Sequence, residues 1–423
     1  MPPQAHARSW LLTLYSLTFC VSALAQNPAP PILSAPVTMQ QAVDLARAKN
    51  PSLLSAQQTL LSVKAQEIQA GVRQNPTLTV GGQDVTLGAA NPSSPYSYNV
   101  QLARTFELGQ KRRWRLDVAR STTSQTEAQY HSQEQQTILA VRQSFTNFVL
   151  AKAAKKLADD NLRDYKREVD IARDRMNAGD ISKLDFKRLD LQLAQFESDE
   201  SSATTNAQQA SIQLQVLLGY TRTSPDFDVV GDIVPPSVPF TIDDLRQKAL
   251  DSRPDYKAAQ YGVAVADANA KLAQANGTTD PTLAGEYDRS GTYNSAGFSI
   301  NIPLRLFDRN QGNKETARFA ASASRFTEIA ARNQVTADVD QAWSAYLNAK
   351  VLADRYNGHY LAETKEVLDI AQFSYEHGGL ALIDYLDALR DSRSVTLDAL
   401  NAYAQTWMTI HQLSYATATE VTP

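Results

Sequence analysis

The sequence carries the same unit twice, and this internal repeat constrains the fold more than any other feature. Matched positions are 198 residues apart at Val141 and Val339, and 199 residues apart at Asp170 and Asp369. Blocks that keep one order at nearly constant separation indicate two structurally equivalent halves. The matched blocks are 38–51 with 241–254, 76–78 with 281–283, 98–102 with 298–302, 141–152 with 339–350, and 170–185 with 369–384.

Four prolines between positions 225 and 239 separate the two halves, because proline cannot continue a helix. We therefore assign 38–220 to the first repeat, 221–239 to a proline-rich linker and 240–423 to the second repeat. Residues 1–25 and 26–37, ahead of the repeats, are predicted to be a signal peptide and an extended segment.

The leader has the features of a secretory signal peptide. Arg8 precedes an apolar run at 10–24, and the small residues of Ala23-Leu24-Ala25 fit a cleavage site. A short membrane anchor is the alternative, but the run is too brief to span a bilayer. Lipoprotein signals end in a cysteine, and here bulky Phe19 stands before Cys20 where a small residue is expected. We therefore expect secretion without lipidation.

Two long stretches without proline, 96–224 and 304–422, are expected of long helices. Apolar residues within them step by three and four, which is typical of coiled-coil packing. A helix from about 112 to 177 would be roughly 100 Å long, and a glycine turn follows it in each half. The two apolar seams are Leu162, Tyr165, Val169, Ala172 and Met176, and Leu361, Thr364, Leu368, Ala371 and Tyr375.

A pair of strands precedes each long helix. Tyr98, Val100 and Leu102 alternate with polar residues, and 298–302 shows the same period of two. The predicted strands are 76–87, 96–106, 281–288 and 296–304, with hairpin loops at 88–95 and 289–295. Each strand is about as long as a tilted membrane-spanning strand. Tyr96, Tyr98, Tyr287 and Phe298 are candidates for interfacial aromatic girdles.

Four strands cannot close a transmembrane barrel, because the smallest such barrels have about eight strands. Open strand edges are not tolerated in lipid. Several copies must then share one barrel: two copies would give about eight strands and three about twelve. A soluble sheet built on the same hairpins is the alternative, since antiparallel sheets in water alternate in the same way.

Composition excludes several classes of function. The chain has 41 basic and 45 acidic residues and a net charge of −4, which makes a poor nucleic-acid surface. Its single cysteine lies in the leader and its five histidines are scattered, so we predict no disulfide, no dedicated metal site and no cofactor. A Gly-rich phosphate loop, G-x-S-x-G and H-E-x-x-H are absent from the sequence, and we predict that the chain is not an enzyme.

This arrangement resembles the TolC-like outer membrane efflux proteins over nearly all of the chain after the leader. The stretch after the last strand (303–312, PLRLFDRNQG) and the tip segment (375–388, YEHGGLALIDYLDA) are similar to that family. Residues 106–112 (FELGQKR), together with 308–312, resemble its CzcC-like branch. That branch exports divalent metal cations with proton-driven pumps.

The resemblance implies a homotrimer that is mainly α with a small β part. Its long coiled-coil hairpins, in two tandem repeats per chain, would form an α-barrel through the periplasm. The four strands of each chain would join a shared transmembrane β-barrel of about twelve strands in the outer membrane. Expected partners are outer membrane lipid, a periplasmic adaptor protein and an inner-membrane pump of the resistance-nodulation-division (RND) type. The chain would be a passive conduit.

Three aspartates identify a candidate aperture. Asp384 and Asp387 are three residues apart on the last predicted helix and share a face, which Asp391 extends by one turn. The resemblance implies that Asp384 and Asp387 line the periplasmic opening, and a ring of such carboxylates favours cations. The alternative for each is an ordinary solvated helix face.

The resemblance also implies that Tyr375 and Asp185 help to keep the aperture shut. The family's arginine two residues after the tip glycine is replaced by Leu380, so the closed state must be held differently. His377 is either an exposed turn residue or a transient contact for a metal ion. The turns expected to contact the adaptor are at Gly179, Gly378 and Gly379.

Alternative functions differ in class. A periplasmic structural coiled-coil protein would explain the long helices but not the two equivalent hairpins. Within the exporter class, drugs or other organic compounds, or a secreted polypeptide, are the rival cargoes. The sequence leaves the cargo open, because a conduit need not bind it tightly.

Overall fold

The computed structural model describes residues 36–83 and 97–422, in which both halves have the same order of elements. The first half comprises α1 (Met39–Lys49), α2 (Pro51–Gly71), β1 (Thr77–Gln83), β2 (Ser97–Thr105), α3 (Lys111–Ala178) and α4 (Lys183–Leu217). The second comprises α5 (Ile242–Ser252), α6 (Pro254–Ala275), β3 (Thr282–Ser290), β4 (Tyr293–Asn301), α7 (Gln311–Arg355), α8 (Leu361–Glu376) and α9 (Leu382–Thr417). A π-helical turn, Tyr356–Tyr360, joins α7 to α8.

Several sequence predictions concern residues outside the described ranges. These are the signal peptide with Cys20, nearly all of the extended segment 26–37, the end of the first predicted strand, Tyr96 and the loop at 88–95.

The short helices begin in the same way in both repeats. Thr38 and Thr241 cap α1 and α5 by accepting a hydrogen bond from the third backbone N–H of the helix. Pro51 and Pro254 occupy the first position of α2 and α6, where the missing N–H has no intrahelical partner to lose. The sequence repeat therefore places the same helix-capping residues at the start of the short helices in both halves.

The helix α3 confirms the prediction of one very long helix at about 112–177. Its 68 residues give a length of about 100 Å. The predicted seam is the buried side of the C-terminal half of α3, where Tyr165, Val169 and Ala172 are almost fully inaccessible to solvent. Among the described residues, no helix combines the length and apolar character needed to cross a membrane.

Three clusters of buried residues hold the chain together. One unites α1, α3 and α4 of the first repeat around Val141 and Phe145, and a second unites α5, α7 and α9 around Val339 and Tyr346. A third lies near the tips of the helical hairpins. The proline-rich linker contacts the first two clusters. Phe227 and Val229 are buried in the first cluster, and Val238 packs against the second, as does Phe240 directly after the linker.

The four strands form one antiparallel sheet in the order β1-β2-β3-β4. The register aligns apolar residues across all strands, and the rows Val80–Val100–Tyr287–Ala296 and Leu78–Leu102–Gly285–Phe298 lie on one face. The opposite face carries the row Thr79–Gln101–Glu286–Gly297. The sheet thus has one apolar and one polar face, and every residue of β4 is exposed.

The second hairpin differs from its prediction. The loop expected at 289–295 is a two-residue turn, because β3 continues to Ser290 and β4 already begins at Tyr293. Gly291 adopts φ +58°, which the first position of a type II′ turn requires and glycine supplies. The strand β4 ends at Asn301 rather than 304, since Pro303 has no N–H for the ladder.

Candidate aperture at the hairpin tips

Both helical hairpins turn with the same backbone geometry. Gly179 and Gly378 adopt φ +89° and +75°, and their N–H groups and those of the next residues bond to carbonyls of the preceding helix. This is the left-handed helix end that glycine favours. Gly379 does not have a positive φ, and Asp180 holds the equivalent place in the first repeat. Of the three predicted tip glycines, two are therefore required by backbone conformation.

The returning helices begin differently in the two repeats. In the first, Ser182 caps α4 by accepting the N–H of Asp185, and its hydroxyl donates to the Asp185 carboxylate at 2.7 Å. In the second, Ala381 occupies the capping position of α9, and its methyl group cannot accept a hydrogen bond. Asp384, which corresponds to Asp185, makes no side-chain hydrogen bond or ion pair within the described ranges. Its carboxylate is free to face solvent.

The three candidate aperture aspartates are exposed on one side of α9. They lie opposite Leu382, Leu386 and Leu389, which pack against the tip cluster. The guanidinium of Arg390 lies 3.2 Å from Asp387 and 3.7 Å from Asp391. Pairs this exposed are worth little in stability, but they offset part of the negative charge.

Tyr375 lies between the two hairpins. Its ring stacks on Tyr385 with centroids 5.0 Å apart, and the guanidinium of Arg175 lies 5.7 Å from its centroid. Asp185 makes no hydrogen bond to it; that carboxylate bonds to Ser182 instead. Burial raises the pKa of Tyr375, Arg175 opposes the rise, and the charges of Glu168 and Asp185 add to it. The expected neighbours are therefore close enough to interact electrostatically.

A cavity of about 130 Å³ separates the hairpins beside this stack. Glu168 of α3 and Glu376 at the end of α8 both face it. Burial, and then the charge of Glu376, raises the pKa of Glu168. Burial also raises the pKa values of Tyr165 and Tyr385, and both phenols remain protonated. The Tyr165 hydroxyl donates to the carbonyl of Leu189 at 3.1 Å, so it joins α3 to α4.

His377 is engaged within its own turn. Its ring stacks on Phe373 with centroids 4.0 Å apart, and Nδ1 lies 2.8 Å from the carbonyl oxygen of Phe373. In the part of the chain that the structure describes, no group of three His, Cys, Asp or Glu side chains is arranged to hold a metal ion.

Sequence reasoning missed five members of this site: Arg390, Arg175, Glu168, Tyr385 and Glu376. Arg390 could have been found, because it follows Asp387 by three positions and residues three apart on a helix face each other. Arg175 and Glu168 gave no such signal: they meet Tyr375 and Glu376 only because the two hairpins pack together, about 200 positions apart in the chain.

The fold and this tip define a member of a known family. The profile described as "Outer membrane efflux protein" matches residues 42–220 and 245–418. The chain belongs to the outer membrane efflux protein family, which confirms the resemblance seen in the sequence. The family members it matches are efflux proteins and not enzymes, in agreement with the prediction of a non-enzyme.

Relatives of known name place the chain near the CzcC-like branch. It is 27% identical over 376 residues to the cobalt-zinc-cadmium resistance protein CzcC of Cupriavidus metallidurans, with 88% of each chain covered. It is 27% identical over 274 residues to the cation efflux system protein CusC of Escherichia coli K12, which covers 61% of this chain and 59% of CusC. A crystal structure of CusC superposes with a TM-score of 0.76 at 19% identity, covering 93% of this chain and 95% of CusC, and so shares the fold.

One relative concerns the N-terminus. SilC of Salmonella typhimurium, described as a "probable outer membrane lipoprotein", is 24% identical over 263 residues, 59% of this chain and 56% of SilC. That description runs against the expectation, drawn from Phe19, that Cys20 escapes lipidation.

Proposed function

We propose that this protein is the outer membrane channel subunit of a tripartite efflux system and forms a homotrimeric, passive conduit. The observation that carries the proposal is the four-stranded sheet. It presents one apolar and one polar face in perfect register, and neither β1 nor β4 has a partner on its outer edge within the described residues.

Such a sheet is unsuited to water as a single copy. Leu78, Val80 and Phe298 are 66%, 69% and 81% exposed on the apolar face. Pairing of β4 with β1 of the next copy would satisfy both open edges. Three copies would give about twelve strands, enough for a barrel with an open lumen, whereas the interior of about eight strands is nearly filled by side chains. The apolar face would contact lipid and the polar face would line the pore.

The exposed aspartates give this conduit its preference for cations. If the face of α9 with Asp384 and Asp387 points to the threefold axis, six carboxylates from three copies converge there, and converging carboxylates favour cations. Tyr375, stacked between Tyr385 and Arg175, would hold the closed state. Leu380 replaces the family's arginine and has no charge. Arg175 of the first hairpin thus places a cation beside Tyr375.

The cargo we propose is divalent metal cations. The support is the likeness to CzcC, a cobalt-zinc-cadmium resistance protein, and to CusC, a cation efflux protein. A periplasmic adaptor that contacts the turns at Gly179, Gly378 and Gly379, and an inner-membrane RND pump, would supply the energy and most of the selectivity. The rival is the same channel serving organic compounds.

Planar bilayers test the aperture directly. Asp384→Ala with Asp387→Ala should lower the cation-to-anion permeability ratio of the reconstituted pore and weaken its block by polyvalent cations. Glu366→Ala with Asp369→Ala is the matched control, since it removes two exposed acids three residues apart from the neighbouring helix α8. The control should leave both properties close to those of the wild type.

Two outcomes would contradict this assignment. Selectivity that is unchanged in the aspartate variant, or that falls equally in the control, would mean that the charge at Asp384 and Asp387 does not define the opening. The cargo is tested in a deletion strain: we expect sensitivity to zinc, cobalt or cadmium to rise and plasmid-borne wild type to reverse it. Sensitivity to organic compounds alone would favour the rival.

A further inference from the structure

Every strand end that continues into a helix lies at the same end of the sheet. The strands β1 and β3 begin there, and β2 and β4 end there. Four connecting segments therefore form one band between the sheet and the helices: 72–76, 106–110, 276–281 and 302–310. We call these four segments the junction.

The junction is a fixed structure. Lys111, the first residue of α3, is 7% exposed and donates to the carbonyl of Thr278 at 2.8 Å and to Asp280 at 2.5 Å. The N–H of Leu108 donates to the same carboxylate, and the N–H of Phe106 to the carbonyl of Pro281. These bonds join the segment after β2 to the segment before β3.

Large apolar side chains project from this fixed band into solvent. Phe307 is 90% exposed, Leu304 77% and Leu306 63%, and Phe106 and Leu108 are also exposed. Large exposed apolar side chains concentrated in one band indicate a contact with a partner or a membrane.

The basic side chains at the junction and at the start of α3 differ in their pairing. Lys111 and Arg115 of α3 are paired with Asp280 and Glu107. Arg73, Arg305 and Arg309 of the junction have no carboxylate partner among the described residues, and the Nε of Arg305 is buried without any hydrogen-bond acceptor. Free guanidinium groups beside exposed apolar residues, on a chain whose net charge is −4, are suited to an anionic group with apolar tails.

We propose that the junction is a binding surface for anionic phospholipid. Arg305 and Arg309 bind the headgroup phosphate, and Leu304, Leu306 and Phe307 enter the boundary with the acyl chains. Guanidinium pairs with phosphate through two parallel hydrogen bonds, and basic residues at the surface of an anionic membrane add to the attraction. The inference rests on the proposed function, because the sheet must lie in the outer membrane for the junction to meet the periplasmic leaflet.

The experiment uses the full-length protein purified in a neutral detergent. Dioctanoyl-phosphatidylglycerol should raise its thermal unfolding midpoint by about 3 °C, whereas dioctanoyl-phosphatidylcholine and inorganic phosphate should leave it nearly unchanged. Arg305→Gln with Arg309→Gln should lose most of the shift. Arg318→Gln is the control, because Arg318 is paired with Glu315 at 3.2 Å and lies in α7, and it should keep the shift.

A full shift in the double variant would overturn the proposal, as would an equal shift with inorganic phosphate, which would indicate a site for free anions. Phe307→Trp provides an independent readout: in bilayers containing brominated phospholipid its fluorescence should be quenched. Unquenched fluorescence would show that a neighbouring copy, and not lipid, covers the junction. Native mass spectrometry of the same preparation measures the oligomeric state independently. Failure of the proposed channel is therefore distinguishable from failure of the lipid site.

Discussion

At the scale of single residues, the most informative contacts are those between the two repeats. His411 of α9 is buried against α3 of the first repeat, with Nε2 2.9 Å from the hydroxyl of Thr146. Its ring stacks on Trp407. Burial, and then the charge of Arg142, lowers the pKa of His411 to about 3.

The buried His411 makes stability depend on pH in a predictable direction. An unfolded histidine binds a proton near pH 6.5, whereas folded His411 stays neutral until about pH 3. Its contribution is therefore intact above about pH 6.5 and is lost as the pH falls toward 3. His411→Gln should flatten the fall of the unfolding midpoint between pH 7 and pH 4, as measured by thermal melts in detergent.

The matched control for this experiment is His131→Gln, because the side chain of His131 is 53% exposed. That variant should keep the wild-type pH dependence. If the unfolding midpoint of the His411 variant falls with pH as steeply as that of the wild type, groups other than His411 determine the loss of stability at acidic pH.

The sequence indicates which tip residues share an exposed helix face, but it does not indicate how the tip packs. The spacing of Asp384 and Asp387 places them together on one helix, so their shared face followed from periodicity alone. The stack of Tyr375 on Tyr385 depends on how α8 packs against α9 within the second hairpin, and the approach of Arg175 depends on how the two hairpins pack together. No local pattern encodes that packing.

At the scale of elements, the π-helical turn Tyr356–Tyr360 distinguishes the long helices of the second repeat from that of the first. Along the long helices, matched positions are 198 residues apart from Val141 and Val339 to Lys152 and Lys350, and 199 residues apart from Asp170 and Asp369 onward. The second repeat thus has one extra residue between these blocks, and the π-helical turn lies within that interval. A π-bulge absorbs a single inserted residue without breaking the helix. The change of separation was therefore the sequence signal of the bulge.

This explanation predicts that one deletion is harmless and its counterpart is not. Gly358 lies in this turn at a place where a side chain would meet no other element within 4 Å. Its removal should turn α7 and α8 into one continuous helix in the register of the first repeat. Folding and oligomer formation should persist, with a melting midpoint at or above that of the wild type, because glycine is unfavourable inside a helix.

The counterpart is removal of Lys156 from α3, which has no π-helical turn to absorb the change. That deletion rotates the seam at Tyr165, Val169 and Ala172 by about 100° relative to the upper half of the helix. We expect loss of the folded protein, seen as absence from the membrane fraction and proteolysis in the periplasm. Loss of folding in the Gly358 deletion, or tolerance of the Lys156 deletion, would contradict the insertion account.

At the scale of the whole molecule, the sequence predicted two hairpins per chain that contribute to one shared barrel, and the structure shows that the two hairpins pair within the chain through β2 and β3. The pairing of β2 with β3 links residues about 180 positions apart, such as Gln101 and Glu286. Alternation identifies strands and their faces, but it does not say which strands are neighbours. The order β1-β2-β3-β4 follows from the packing of the helices that carry the strands, α3 against α6 and α6 against α7.

Above all, we propose that this sheet is one part of a β-barrel that several copies of the chain form together. Native mass spectrometry of the full-length protein, extracted from outer membranes with mild detergent, tests it most directly. We expect that detergent is required for extraction and that the released particle contains three chains. A single chain released by buffer without detergent would contradict it.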